Sequence, residues 1–291
     1  MRIGVLLLPA DPWAQSVRRA RHLEALGFHH LWTYDHLSWR RYRDQPWHAA
    51  IPWLTGLAGV TERVGLGTMV TSPNFRHPVT LAKEAMTLDH VSAGRLILGV
   101  GAGGTGFDAT VLGGEPPSPR ERADRFAEFV EMLDGLLGAP SFSHRGRFYA
   151  AEEARMIPGS VQRPRLPLAI AAAGPRALDL TARLGDAWIT YGDPGAEDQS
   201  AAATEAAVRR QAERLDERCA ALGRDPGSLR RYFLIGNTDE RPLASADAFE
   251  DFAGRYAGLG FTDLVFHDPR PGDPVFTEDP AVVDAIAERL L

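Results

Sequence analysis

Asp35 and His36 close the apolar run LWTYDHL, and a histidine held there can take or give a proton near neutral pH. Two more apolar runs end in residues of interest. GTMVTSPNFRHP carries Met69, Val70 and Ser72 at its turn, and GRLILGVGAGG ends in small residues from Gly99 to Gly104 that include Ala102 and Gly103. In AIAAAGPRALDL, Ala173, Gly174, Pro175 and Arg176 follow a fourth run and open a helical pattern. The free amides and positive dipole end of such a helix start suit a phosphate. Plainer readings stand beside these. Asp35 can cap a loop, His36 can fill space, and Gly-Pro is an ordinary way to begin a helix.

The glycines satisfy GxGxxG twice, starting at Gly99 and at Gly101. A nicotinamide fingerprint should open directly into a helix at the start of an open sheet. FDATVLGGEPPSP follows instead, so the small residues read better as a backbone that approaches a flat ring, with a flexible loop as the alternative. Trp39, Trp47 and Trp53, with Tyr34, Tyr42 and Phe75, cluster around the Asp-His turn. They suit a pocket for a planar cofactor or apolar substrate, although core packing explains Trp53 and Phe75 equally well. His29 and His30 stand at the opposite end of their strand and read as structural or solvated.

No His, Cys, Asp or Glu spacing matches a zinc site, so no metal is expected. Cys219 is the single cysteine and lies in a polar helical run, which reads as an inert thiol and excludes an internal disulfide. The net charge of -6 is dispersed, with no basic stripe, and this disfavours nucleic acid as a partner. IGVLLLP is too short to cross a membrane and is poorly continued as a signal peptide, so a first strand of a cytoplasmic protein is the expectation.

Elements must hold these strand ends together, and the pattern supplies them. Apolar runs at Ile3–Leu8, His30–Tyr34, Val64–Val70, Leu96–Val100, Leu168–Ala172, Ala187–Thr190, Arg231–Ile235 and Asp263–Phe266 alternate with helical segments. The first helix is expected to use Asp11 as its cap and Pro12 in its first turn, ending at Gly27; the second is expected over Trp47–Val60. SFSHRGRFY reads as a hairpin. Eight strand and helix units predict an α/β fold, a parallel (β/α)8 TIM barrel with insertion segments, as one domain over residues 1–291. Barrels of this kind carry their chemistry at strand ends.

LEALGFHHLWTYDHL, GTMVTSPNFRHPVTLAKEAMTLDHVSAGRLILGVGAGG and AAAGPRALDLTARLGDAWIT together resemble the luciferase-like monooxygenase superfamily. The resemblance implies an oxidoreductase that uses either FMN or the deazaflavin coenzyme F-420. Tyr34-Asp35-His36-Leu37 is similar to the coenzyme F-420 branch, where the aspartate contacts the cofactor, the histidine exchanges a proton, and a tryptophan matched here by Trp39 packs at the reacting face. It further implies a cis peptide at Met69-Val70 and cofactor contacts at Asp35, Met69, Val70, Ser72, Ala102, Gly103, Ala173, Gly174, Pro175 and Arg176, in a homodimer acting on a small molecule. The alternative is an FMN-dependent monooxygenase that uses molecular oxygen. Sugar-phosphate dehydrogenases of the branch carry a glutamate where this chain has Gly104, so hydride exchange with another small organic substrate is expected.

Overall fold

The computed structural model describes residues 1–194, 200–236 and 239–291. Strands β1 (Arg2–Leu6), β2 (His30–Thr33), β3 (Gly65–Thr68), β4 (Leu96–Val100), β7 (Leu168–Ala171), β8 (Ala187–Thr190), β9 (Arg230–Leu234) and β10 (Asp263–His267) close into a barrel, every pair parallel. The ring runs β1-β10-β9-β8-β7-β4-β3-β2. Helices α1 (Trp13–Ala25), α2 (Ala50–Ala58), α3 (Pro78–Val91), α4 (Pro119–Gly138), α5 (Pro175–Leu184), α6 (Ala201–Ala221), α7 (Ala246–Gly258) and α8 (Ala281–Leu290) connect them. The expected hairpin is present as β5 (Ser141–Arg145) and β6 (Ala150–Arg155), paired antiparallel apart from the barrel.

Strand alternation builds two cores. Val5 and Leu31 face outward into the layer shared with the helices, whereas Leu6 and Trp32 turn inward and meet Ile189, Tyr232, Val265 and Met69. Burying a side chain of this size contributes about 1.5–3 kcal/mol. Packing on both faces of each strand therefore outweighs the modest propensities of such short runs.

Two expectations fail at the mouth of the barrel. Asp11 does not cap α1; its carboxylate is taken by Arg270 at 2.6 and 2.9 Å, and Pro12 occupies the cap position with no side-chain bond. Helix α2 begins at Ala50, not Trp47, because the Trp47 indole donates to the His36 carbonyl at 2.9 Å and the His48 amide to that of Pro9 at 2.7 Å. Gly27 ends α1 as expected, with φ +95°. A Ser118–Glu121 capping box starts α4.

Candidate active site

The C-terminal strand ends gather the expected residues from four segments. Just after β2, Asp35 is 1% exposed, and Arg76 grips both its oxygens, Nη2 to Oδ1 at 2.8 Å and Nε to Oδ2 at 3.0 Å. Thr71 donates its hydroxyl to the same Oδ2. A buried carboxylate needs such partners, and these tie the β2 end to the loop after β3. Asp35 thus spends both oxygens on protein groups, a set of partners its position in sequence did not reveal.

His36 reaches in another direction. Its Nδ1 lies 2.5 Å from Asp108 Oδ2, while Asp108 Oδ1 accepts from the Leu37 amide at 3.0 Å. Asp108 is 6% exposed, in a single helical turn over Phe107–Ala109. The β4 insertion is thereby clamped onto the Asp-His turn. With Nδ1–H donated to the carboxylate, Nε2 is left as the acceptor nitrogen of a ring that remains 32% exposed.

Aromatic rings surround this turn. Trp39 lies 4.8 Å from Tyr34 and 6.3 Å from His36, between centroids, and also meets Tyr42 and Trp47. Tyr34 OH meets His267 Nε2 at 2.7 Å. Burial raises the Tyr34 hydroxyl well above its usual range and lowers the His267 imidazole to about 4, so both groups are neutral at pH 7. Phe276 stacks on His267 with 4.4 Å between centroids. His267, Phe276 and Arg76 escaped the reading of sequence; only the position of His267 at a strand end could have marked it.

Next to this turn lies the loop after β3. The Met69–Val70 peptide is cis, Met69 and Ser72 are buried, and pairing resumes with a bridge from Thr71 to Val100. The glycines that follow β4 serve this bend. A Cβ on Gly101 would come within 2.5 Å of Val70 Cγ2, and one on Gly103, at φ +75°, within 2.7 Å of the Asn74 amide. Val70 and Asn74 thus fill the space beside Gly101 and Gly103, whereas Gly106 has no atom within 4 Å of a would-be Cβ.

Ala102 shares a cavity of about 330 Å³ with Pro175 and Arg176 at the start of α5. Gly174 is the cap residue and no side chain caps the helix. The Arg176 and Ala177 amides have no acceptor among the described residues, whereas the Arg176 guanidinium is engaged by Asp124 of α4. Ala173 stands between this helix start and Ala172, whose carbonyl accepts from the Trp188 indole at 2.8 Å. A further cavity, of about 750 Å³, lies beside α1 and the loop after β10 and does not include His36. Its Arg19 and Arg270 are already paired with Asp268 and Asp11.

His29 and His30 lie at the other end, as expected. The Ile3 amide donates to His29, and His30 is fully enclosed beside Asp263. Cys219 is buried in α6, and its thiol is pushed up by burial. Among the described residues no cluster of His, Cys, Asp or Glu could hold a metal, and no helix is long and apolar enough to cross a membrane.

Known proteins resemble this chain in sequence and in fold. An F420-dependent glucose-6-phosphate dehydrogenase of Beutenbergia cavernae is 31% identical, covering 88% of this chain and 87% of the relative. An F420-dependent hydroxymycolic acid dehydrogenase of Mycobacterium tuberculosis is 32% identical over 82% of this chain and 63% of its own length. Two solved structures share the fold: an F420-dependent secondary alcohol dehydrogenase with an F420-acetone adduct (TM-score 0.81, 19% identity, 99% and 97% of the chains) and a Streptomyces bottropensis monooxygenase (TM-score 0.80, 22% identity, 100% and 98%). Residues 1–260 match the family model for luciferase-like monooxygenases, and this chain belongs to that family.

Proposed function

We propose that the protein is a coenzyme F-420 dependent oxidoreductase that exchanges a hydride with a small organic substrate other than a sugar phosphate, and that His36 handles the accompanying proton. The observation that carries this reading is the His36–Asp108 pair at the barrel mouth, which leaves one acceptor nitrogen on a partly exposed ring. The relatives named for F420-dependent dehydrogenation support the cofactor.

The residues present fit such a group. Val70 and Met69 offer an apolar backing, Ala102 and Gly103 a wall without bulky side chains, and the two unpaired amides of α5 a donor set for a phosphate. When bound, the deazaflavin supplies a ring carbon that carries the hydride. His36 Nε2 would accept the hydroxyl proton of an alcohol as its carbon is oxidised, and return it in the opposite direction. Asp108 holds the imidazole in the required tautomer and balances the charge that develops there. Trp39 and Tyr34 keep water from one side of the ring, and Asp35 anchors the turn through Arg76. Gly104 is exposed and offers no carboxylate, which supports a substrate other than glucose 6-phosphate.

Titrating the purified protein with coenzyme F-420 and with FMN tests the reading. Tighter binding of F-420 is expected, with His36→Ala sparing that affinity and lowering turnover about 100-fold or more in a panel of alcohols and ketones. Tight FMN binding with oxygen-dependent turnover and no affinity for F-420 would reverse it.

A further inference from the structure

Two arginines in the loop after β2, Arg40 and Arg43, have no carboxylate partner among the described residues; Arg43 lies over Phe107, 4.2 Å from the ring centre, and Arg40 is the one on the ring beside His36. Arg41 is bound to Asp273, Arg76 to Asp35, Arg176 to Asp124 and Arg270 to Asp11. Among the described residues Arg40 has no carboxylate partner and its side chain makes no hydrogen bond; its guanidinium carbon lies 5.3 Å from the centre of the Trp39 ring. Trp39 is the ring that also stacks beside His36. The backbone at Arg40 has φ +44°, in the left-handed region that a long side chain rarely occupies. Such outliers collect at functional sites.

The position of the charge is informative. Arg40 acts electrostatically on Tyr34, Tyr191 and His267, which stand at the ends of β2, β8 and β10. Trp39, on whose ring the guanidinium rests, packs beside Tyr34 and His36 at the end of β2, so the charge stands at the mouth next to His36. Exposed apolar side chains occupy the same rim: Leu37 after β2, Phe107, Val111 and Leu112 after β4, Tyr191 after β8, and Val275 after β10. A free cation above an apolar rim matches a ligand with one anionic end and an apolar body.

We propose that Arg40 binds the carboxylate of an apolar organic acid, and that this acid is the substrate class, its reacting carbon lying at His36. The assignment of the carbon rests on the oxidoreductase reading above; the carboxylate site does not. The planar guanidinium can pair both carboxylate oxygens while resting on Trp39, a geometry lysine cannot reproduce. The loop after β2 is separated from α5, which follows β7, by β3 and β4, so the anion at Arg40 is distinct from a phosphate at the α5 amides.

The test measures binding of hexanoate and of hexan-1-ol, two ligands of equal chain length, by calorimetry to the full chain with coenzyme F-420 present. Hexanoate should bind at least about tenfold more tightly, the scale of a charged hydrogen bond. Arg40→Gln should erase that preference while leaving affinity for hexan-1-ol and F-420 unchanged, and Arg209→Gln, on the outer helix α6, should alter nothing. Equal binding of the two ligands, or a preference that survives in Arg40→Gln, overturns the proposal. So does a loss of F-420 affinity in Arg40→Gln, because Arg40 would then serve the cofactor. If the wild-type protein fails to bind F-420, the oxidoreductase reading falls, and the same comparison without cofactor still decides the carboxylate site.

Discussion

Acidification should cost the folded protein a definite amount of stability through His30. The imidazole is fully enclosed, with Nε2 2.9 Å from Asp263 Oδ1 and Nδ1 accepting from the Trp32 indole at 2.6 Å. Burial lowers its pKa from 6.5 to about 4, so it sits in the core as a neutral donor to Asp263. Burial alone would raise the Asp263 carboxyl, but bonds from His30 and Thr262 and the charge of Arg2 hold it well below the usual range. Above pH 6.5 neither the folded nor the unfolded chain protonates His30, and its contribution is complete. Between 6.5 and 4 the unfolded chain takes up a proton that the folded one refuses, so stability falls with pH by up to about 1.4 kcal/mol per unit. The loss totals about 3 kcal/mol and then levels off below 4. His30→Gln keeps an amide donor for Asp263 and removes the titration. Urea unfolding followed by tryptophan fluorescence from pH 7.5 to 4.5 should show a loss about 2.5 kcal/mol smaller in the variant than in the wild type. The comparison uses the change with pH, so a variant less stable at pH 7.5 is still informative. Equal losses in the two proteins would refute the argument that His30 is held neutral.

Asp108→Asn should leave F-420 affinity unchanged and lower turnover about 100-fold or more, because an amide can donate to Nδ1 and select the wrong tautomer of His36. Near-normal turnover of a working substrate, followed by F-420 absorbance, would show that the pair does not orient the ring. Arg76→Ala should destabilise the fold by about 3–5 kcal/mol in urea unfolding, since it strands the buried Asp35 carboxylate. Adding Asp35→Asn should recover much of that loss; no recovery would mean that Arg76 acts through its packing on Phe75, 5.0 Å away, instead.

The barrel was legible because its evidence is local. Each strand is a short apolar run and each helix an amphipathic one, and signals such as Gly27 after α1 act within a turn of the residues they affect. The same locality made Asp35 and His36 visible as polar residues at a strand end. Their partners were not visible, because Arg76 lies 41 residues from Asp35 and Asp108 lies 72 from His36. Nothing in the spacing of FRHP or GFDAT says which carboxylate meets which cation; closure of the barrel brings those loops together. The glycines show the same limit. Their lack of a side chain is plain in sequence, but whether Val70, Asn74 or a ligand takes the space is decided by the bend after β3. Composition and periodicity determine which segments become strands and helices, since those depend on neighbours along the chain. Which polar groups meet at the mouth depends on long-range closure, and only the tertiary structure decided that Asp11 would pair with Arg270 rather than cap α1, and that Arg40 would be left with its charge unmatched.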